Sequence, residues 1–336
     1  MARDLASDEA VRVLCRLGSA LLASAEDFWG RSAEIGFRYL RSTLGFVAQR
    51  PLADDLPGHM LRETRHYLTE MAMVPGLALE RLGTELGVGG DAARDAPATY
   101  RVEGRSLMLP VRVRDAAQGM ALYPVSARAA QGVLDERGVP FRVVDLGRDR
   151  TPLAIFALRN REGDLGSPDE LGAAFFVAPE ADPSAVGMYI VDFPGSERFS
   201  CAAGREIWGY AKRESTLDFA WTETEAACSV GSVGDGGPAF TIAFPRGGSG
   251  ASSAIPFTTY TLRDGRPHRT VFIRSGRGER IRADGDGVRL ELGETTASAQ
   301  DPLGRMLRVL GVPEARPLLH AWTEHVAIEF GPAVPL

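Results

Sequence analysis

Apolar residues recur at helical spacing over the first 90 residues of the chain. Four stretches show the steps of three and four that place apolar side chains on one helix face. Their positions are Val11, Leu14, Leu17 or Gly18, and Leu21; Ala33, Phe37, Leu40, Leu44 and Val47; Met60, Tyr67, Met71 and Val74; and Leu79, Leu82 and Leu86. The pattern predicts a helical region over residues 1–95. Its polar faces carry both signs of charge, which favours a bundle packed on its own protein over a membrane-surface, partner-binding or oligomer-forming helix.

A change of pattern follows a Gly-, Ala- and Asp-rich linker near residues 87–97. Beyond it, short runs of β-branched and aromatic residues dominate, and few helical stretches interrupt them. The predicted strands are Ser106–Val113, Met120–Val125, Val139–Leu146, Leu153–Leu158, Gly172–Ala178, Met188–Phe193, Thr216–Trp221, Ala239–Phe244, Phe257–Leu262, Thr270–Arg274 and Val288–Leu292. The predicted helices are Ser126–Arg137, the neighbourhood of Ser196–Arg205, and Pro302–Leu310. Residues 96–336 are therefore predicted to form an antiparallel α+β domain, for which a barrel is one suitable architecture, and not a doubly wound nucleotide-binding fold.

Composition and charge exclude several classes of function. The chain is 44% hydrophobic and 24% charged, with a net charge of -6, which is typical of a soluble globular protein. It has no basic stripe for nucleic acid and no polybasic patch for a membrane surface. Its three cysteines form no CxxC motif, and no histidine cluster has metal-ligand spacing, so we expect neither a disulfide framework nor a metal site. No signal-peptide pattern is present, and a cytoplasmic location is the expectation.

The basic residues are distributed unusually: the sequence contains 37 arginines and a single lysine, Lys212. Arginine can replace lysine where only a positive charge is needed, but it cannot attack a carbonyl as a primary amine does. Lys212 also follows Ile207, Trp208, Tyr210 and Ala211, which solvate an ammonium ion poorly. The pattern predicts that Lys212 is a Schiff-base nucleophile. A structural lysine, or one left by chance in an arginine-biased sequence, is the alternative.

The segment Ala203–Lys212 resembles the Gly-Arg-Glu…Tyr-Pro-Lys signature of the acetoacetate decarboxylase superfamily. The resemblance covers roughly residues 98–335 and places the family's Schiff-base lysine at Lys212. It implies a cone-like antiparallel β-barrel whose interior holds the lysine, with the helical region appended at the N-terminus. It also implies that no cofactor is needed and that the chain forms a homo-oligomer.

Two further segments resemble the same family. Asp164–Glu170 is similar to its Leu-Gly-x-Tyr-x-Glu segment and places an active-site glutamate at Glu170. Tyr100–Arg105 is similar to the segment that holds its active-site arginine and places that residue at Arg105.

The sequence also departs from the family pattern, since Ala211 replaces a proline and Pro168 replaces a tyrosine. Arg213 stands at a second lysine position, and Ile155 stands where the decarboxylases carry a second glutamate.

Together these residues predict a lyase that acts on a keto acid or a related carbonyl compound. Glu170 is expected to move protons and Arg105 to hold a substrate carboxylate. Trp208, Tyr210, Ile155 and Arg213 are expected to line the substrate pocket. Decarboxylation is the leading reaction, and aldol addition with dehydration is the alternative within the superfamily. A barrel that binds an apolar small molecule without catalysis, and an assembly module built on the N-terminal helices, are the alternatives outside it.

Overall fold

The computed structural model describes residues 98–183, 185–231, 237–282, 285–293 and 299–336. The predicted N-terminal helices and the domain boundary at residue 95 lie outside these residues and stay predictions. Fifteen strands occur in the described ranges: β1 Thr99–Val102, β2 Arg105–Met108, β3 Val111–Ser126, β4 Phe141–Val143, β5 Arg150–Gly163, β6 Asp169–Pro179, β7 Gly187–Gly195, β8 Lys212–Glu214, β9 Leu217–Trp221, β10 Glu225–Gly231, β11 Pro238–Pro245, β12 Gly250–Arg263, β13 Arg266–Arg282, β14 Arg289–Leu292 and β15 Leu319–Pro335.

Seven of these strands close into a barrel. They follow the order β6-β5-β3-β15-β13-β12-β7, and a further pairing of β7 with β6 completes the circle. Strands β4 and β8 extend the same sheet beside β6 and β7. Six of the seven barrel pairings are antiparallel, whereas β12 and β7 run parallel. The predicted barrel is therefore present, and it is mixed rather than purely antiparallel.

Several barrel strands are longer than the sequence pattern predicted, whereas β4 covers only three residues of the predicted run Val139–Leu146. Two predicted runs, Ser106–Val113 and Met120–Val125, belong to β2 and to one continuous 16-residue strand, β3. The 17-residue strand β15 was not predicted, because charged residues and two prolines interrupt its apolar alternation. A four-stranded sheet, β14-β11-β10-β9, packs beside the barrel.

Three α-helices lie wholly within the described ranges. Helix α1, Ala127–Glu136, begins where Ser126 Oγ accepts a hydrogen bond from the backbone N–H of Ala129 at 3.1 Å. Helix α2, Arg198–Ala203, continues directly into a π-helical turn, Gly204–Trp208. Helix α3, Pro302–Val309, is capped by the Asp301 carboxylate. All three agree closely with the predicted helical stretches.

The two faces of the barrel wall pack against different groups. The outer face packs against α1, α3 and the four-stranded sheet in one apolar cluster, which includes Leu134, Phe175, Phe240 and Leu307. All seven strands contribute a side chain to the inner face. Six of these side chains belong to two further apolar clusters, and the seventh, Thr259, contacts the Tyr210 hydroxyl of one of those clusters. The seven are Val111, Phe156, Phe176, Ile190, Thr259, Phe272 and Phe330. The π-helical turn packs against this inner face. This arrangement places the segment that leads to Lys212 against the barrel interior.

Candidate active site

A sharp backbone turn at Gly209 positions Lys212 in the site. The π-helical turn ends at Gly209, whose φ of +76° is a conformation that glycine adopts without strain. A side chain there would also meet the carbonyl oxygen of Leu262 at 2.7 Å. Three residues later the chain enters β8, where Lys212 pairs in parallel with Phe193 of β7. A π-helical turn adds a residue to a helix and is common at functional sites.

Lys212 is buried, with 7% of its surface exposed. Its Nζ contacts Glu170 Oε1 and donates a hydrogen bond to Ser200 Oγ at 2.8 Å. The same nitrogen lies 4.7 Å from the centroid of the Phe193 ring. Gly204 makes room for the lysine stem, because a Cβ at that position would lie 3.2 Å from Lys212 Cγ and closer still to Cδ.

Glu170 and Ser200 complete a closed triangle of polar groups around the amine. Glu170 lies on β6, opposite Leu158 of β5 and Gly195 of β7. Ser200, on α2, is fully buried, and its hydroxyl donates to Glu170 Oε1 at 3.0 Å. Each polar group of the triangle therefore has a partner, which a buried ion pair needs in order to persist.

Lys212 and Glu170 are among the residues that line a small cavity with mostly apolar walls. Its volume is about 40 Å³. Its walls include Val113, Leu165, Phe193, Trp208, Tyr210 and Phe330. A cavity of this size suits a small molecule of a few heavy atoms.

The two aromatic residues predicted for the pocket line this cavity. Trp208 is fixed by its Nε1, which donates to the carbonyl oxygen of Gly331 at 2.8 Å. The Tyr210 hydroxyl is 2.8 Å from Thr259 Oγ1. Burial raises the pKa of Tyr210 well above its ordinary value, so the phenol stays neutral. Both side chains are thus held as rigid, uncharged walls.

Ile155 and Arg213 do not lie in the cavity, contrary to the prediction. Ile155 is completely buried in the outer cluster, because alternate residues of β5 point to opposite faces and it is Ala154 and Phe156 that face inward. Arg213 follows Lys212 on β8 and pairs instead with Asp192 at 3.0 Å and Asp301 at 2.7 Å. Burial raises the pKa of the Asp192 carboxyl above its ordinary value, although Arg213 opposes that shift.

Arg105 lies on the β1–β2 hairpin and is exposed. Its guanidinium carbon sits 4.4 Å from the centroid of the Phe199 ring. Arg105 is not among the described residues that line the cavity, where Lys212 is the only cation. A role for Arg105 in holding a substrate carboxylate therefore has no support from its position.

Two side chains of the site were missed at the sequence level. Ser200 bridges the amine and the carboxylate, and Asn160 on β5 lines the cavity. No local sequence motif predicts either as a site residue, because strand pairing brings Asn160 to the site and the packing of α2 brings Ser200 there. Within the described ranges, no group of three or more His, Cys, Asp or Glu side chains could hold a metal ion. No helix in the described part of the chain is long and apolar enough to span a membrane.

Comparisons with known proteins identify structures that have a similar fold. No protein-family model and no curated protein matches the sequence. An acetoacetate decarboxylase from Legionella pneumophila matches with a TM-score of 0.52 and 13% identity, covering 74% of this chain and 92% of that one. An acetoacetate decarboxylase-like enzyme from Sphingomonas wittichii RW1 matches with a TM-score of 0.45 and 13% identity, covering 72% and 100%. The fold assignment rests on the first of these, and it agrees with the seven-stranded barrel. The described part of the chain has the acetoacetate decarboxylase-like fold.

Proposed function

We propose that the protein is a Schiff-base-forming lyase that acts on a small keto acid or related carbonyl compound through Lys212. The observation that carries this proposal is that the chain's single lysine is buried in a cavity, beside a carboxylate and a hydroxyl. A primary amine attacks a carbonyl carbon once it has lost its proton, and the Glu170 carboxylate in contact with Nζ is an acceptor for that proton. The amine can then attack a carbonyl carbon.

The three polar residues supply the proton transfers that the reaction needs. Glu170 takes a proton from Lys212, and the nitrogen lone pair forms a bond to the carbonyl carbon. The carbonyl electron pair moves to the oxygen, which takes a second proton from the nitrogen and becomes a hydroxyl. The protonated Glu170 then gives its proton to this hydroxyl, which leaves as water and gives an iminium ion. Ser200 can pass this proton, because its hydroxyl contacts both Nζ and Oε1.

Decarboxylation is the reaction that the cavity walls favour. In the iminium of a β-keto acid, the bond to the carboxylate breaks, CO2 leaves, and the electron pair moves toward the nitrogen to give an enamine. Aromatic walls such as Phe193 and Phe330 stabilise a carboxylate anion less than neutral CO2. Protonation of the enamine carbon and addition of water then release the ketone and restore Lys212. Aldol addition with dehydration is the alternative fate of the same enamine.

Reductive trapping tests the proposal. The protein is incubated with a panel of small keto acids and sodium borohydride, and its intact mass is measured. We expect the wild type to gain one reduced adduct and Lys212→Arg to gain none. Lys212→Arg is a matched control because it keeps the positive charge and leaves the α-amino group of the chain in place. An adduct of equal yield in both proteins would place the reaction at the α-amino group and overturn the proposal.

Product analysis then separates the two reactions. CO2 release from a β-keto acid indicates decarboxylation, whereas a condensation product from pyruvate and an aldehyde indicates the aldol alternative. Trapping of a carbonyl compound without turnover of either kind leaves only a binding function. The predicted homo-oligomer, cytoplasmic location and independence of cofactors remain separate predictions.

A further inference from the structure

Phe330 lies at the boundary between the cavity and the rest of the barrel interior. It belongs to β15, and its side chain lines the cavity. The inner face of the barrel carries two apolar clusters. The site cluster contains Trp208 and Tyr210, and the interior cluster is formed by Ala116, Leu158, Val326 and Ile328. Among the described residues that line the cavity, Phe330 is the one that packs against both clusters. Its ring therefore lies where the two clusters meet.

Contacts on two sides hold the Phe330 ring in place. Its centroid lies 5.6 Å from that of Trp208 in the site cluster and 5.4 Å from that of Phe272, which packs against the interior cluster. The backbone is held as well, because Phe330 pairs with Val111 of β3 and with Phe272 of β13. The next residue, Gly331, accepts the hydrogen bond from Trp208 Nε1. A ring packed in this way cannot move aside without the loss of these contacts.

The cavity has little room for a substrate beyond its carbonyl group. A cavity needs roughly 10–15 Å³ to hold one water molecule, so a volume of about 40 Å³ holds only a few heavy atoms. Nζ of Lys212 contacts Glu170 and Ser200, whose polar groups suit the carbonyl oxygen and its protons. An apolar group next to the carbonyl carbon is left with the apolar walls. Of these walls, Phe330 is the one that both clusters support from behind.

We propose that Phe330 determines substrate specificity, because its ring limits the length of the apolar group attached to the carbonyl carbon of the substrate. The substrate class is then a short-chain keto acid whose apolar group has one or two carbons. A longer group has to displace a ring that two clusters hold, and one methylene group in an apolar pocket changes specificity by roughly 10- to 200-fold. This inference rests on the proposed function, which places the carbonyl carbon at Lys212.

A series of 2-oxo acids that differ by one methylene group tests the inference. Pyruvate, 2-oxobutanoate, 2-oxopentanoate and 2-oxohexanoate are substrates for borohydride trapping, and the concentration at half-saturation is measured for each. For the wild type, we expect this concentration to rise by about tenfold for each methylene group beyond 2-oxobutanoate. In Phe330→Leu, whose side chain is smaller, the rise from 2-oxobutanoate to 2-oxohexanoate should be no more than about threefold. The acids are compared within each protein, so a general change in trapping by Phe330→Leu cancels.

Phe175→Leu is the matched control. Phe175 is fully buried on β6, but it belongs to the outer cluster and is not among the described residues that line the cavity. The variant removes the same atoms from the other face of the barrel wall, so we expect it to keep the wild-type rise. If Phe330→Leu does not fold, Phe330→Met carries the same expectation, because methionine is flexible and adapts to its neighbours.

Three outcomes of the trapping series overturn the inference. The first is equal half-saturation for all four acids in the wild type. The second is a wild-type rise that persists in the folded Phe330 variant. The third is a rise that disappears in Phe175→Leu, because general loosening of the barrel then accounts for the change.

A binding measurement separates this inference from the proposed function. If the wild type traps none of the acids, the Schiff-base proposal fails, and the shift in Tm caused by each acid reports binding alone. Each methylene group that an apolar pocket accepts strengthens binding. A Tm shift that falls along the series in the wild type but rises in Phe330→Leu supports the limit on length. The same trend in both proteins overturns it, as does the absence of any shift.

Discussion

Gly204→Ala probes whether the lysine depends on an empty position in the helix before it. The backbone at Gly204 is ordinary right-handed helix, with φ −59° and ψ −41°, so alanine suits it. The added Cβ, however, would lie 3.2 Å from Lys212 Cγ, 3.3 Å from Cε and closer still to Cδ. The steric conflict is therefore with the lysine side chain itself.

The size of the effect follows from these contacts. Nonbonded carbon atoms favour a separation of about 3.5 Å or more, so the lysine stem has to move by about 1 Å. A displacement of about 1 Å at a reacting group can slow catalysis by about 100-fold. Stability should change less, because alanine favours a helix by about 1 kcal/mol over glycine, whereas overpacking costs roughly 1–3 kcal/mol. We expect a large loss of rate with a loss of stability of no more than about 2 kcal/mol.

The assay is the rate of borohydride trapping with a keto acid that the wild type accepts, together with urea unfolding. Gly132→Ala on α1 is the matched control, because its added Cβ meets no atom within 4 Å. It should keep the wild-type rate. A Gly204→Ala protein that traps substrate within about threefold of the wild-type rate would show that Lys212 does not need this space, and the steric reasoning would be wrong.

Three further predictions follow from the site and its surroundings. Ser200→Ala removes the hydroxyl that bridges the amine and the carboxylate, so the trapping rate should fall by about 10- to 100-fold with little change in half-saturation; an unchanged rate contradicts a proton-passing role. Arg105→Gln should change the keto-acid concentration at half-saturation by no more than about twofold, because Arg105 is absent from the described cavity lining. A rise of about tenfold in that concentration would indicate that Arg105 does bind the substrate carboxylate. Burial raises the pKa of Glu324, but hydrogen bonds from Trp322 and Arg246 outweigh burial and hold its pKa below the ordinary 4.5. A lowered pKa adds stability that is present above pH 4.5 and lost as the pH falls below it, so Glu324→Gln should unfold about 1 kcal/mol more easily at pH 7. Urea unfolding should show this gap closing in acid, and a gap that persists there refutes the assignment.

The local sequence was informative where the residues of the site lie close together in the chain. Lys212, Trp208 and Tyr210 belong to one ten-residue motif, and the structure places all three at the same cavity. Glu170 was found through a second local motif and contacts Lys212. Their catalytic roles stay proposals.

The errors arose where a residue's face on a strand had to be known. Ile155 was expected in the pocket, but neighbouring residues of a strand point to opposite faces, so a shift of one position reverses the outcome. Arg213 was misplaced for the same reason, since it follows Lys212 on β8 and faces the opposite way toward Asp192. Register shifts within β3 and β15 also change which residues face inward, and the local sequence pattern does not predict these shifts.

The sequence by itself determined that the chain has one amine among its basic side chains, a glycine eight residues before it, and enough alternating strands for a barrel. Only the tertiary structure decided which side chains surround that amine. Ser200 arrives on a helix that packs against the inner face of the barrel wall, and Asn160 arrives on a strand 52 positions earlier than Lys212 in the chain. Their positions depend on strand register and barrel closure, which are set by pairing between distant segments and not by the residues next to them.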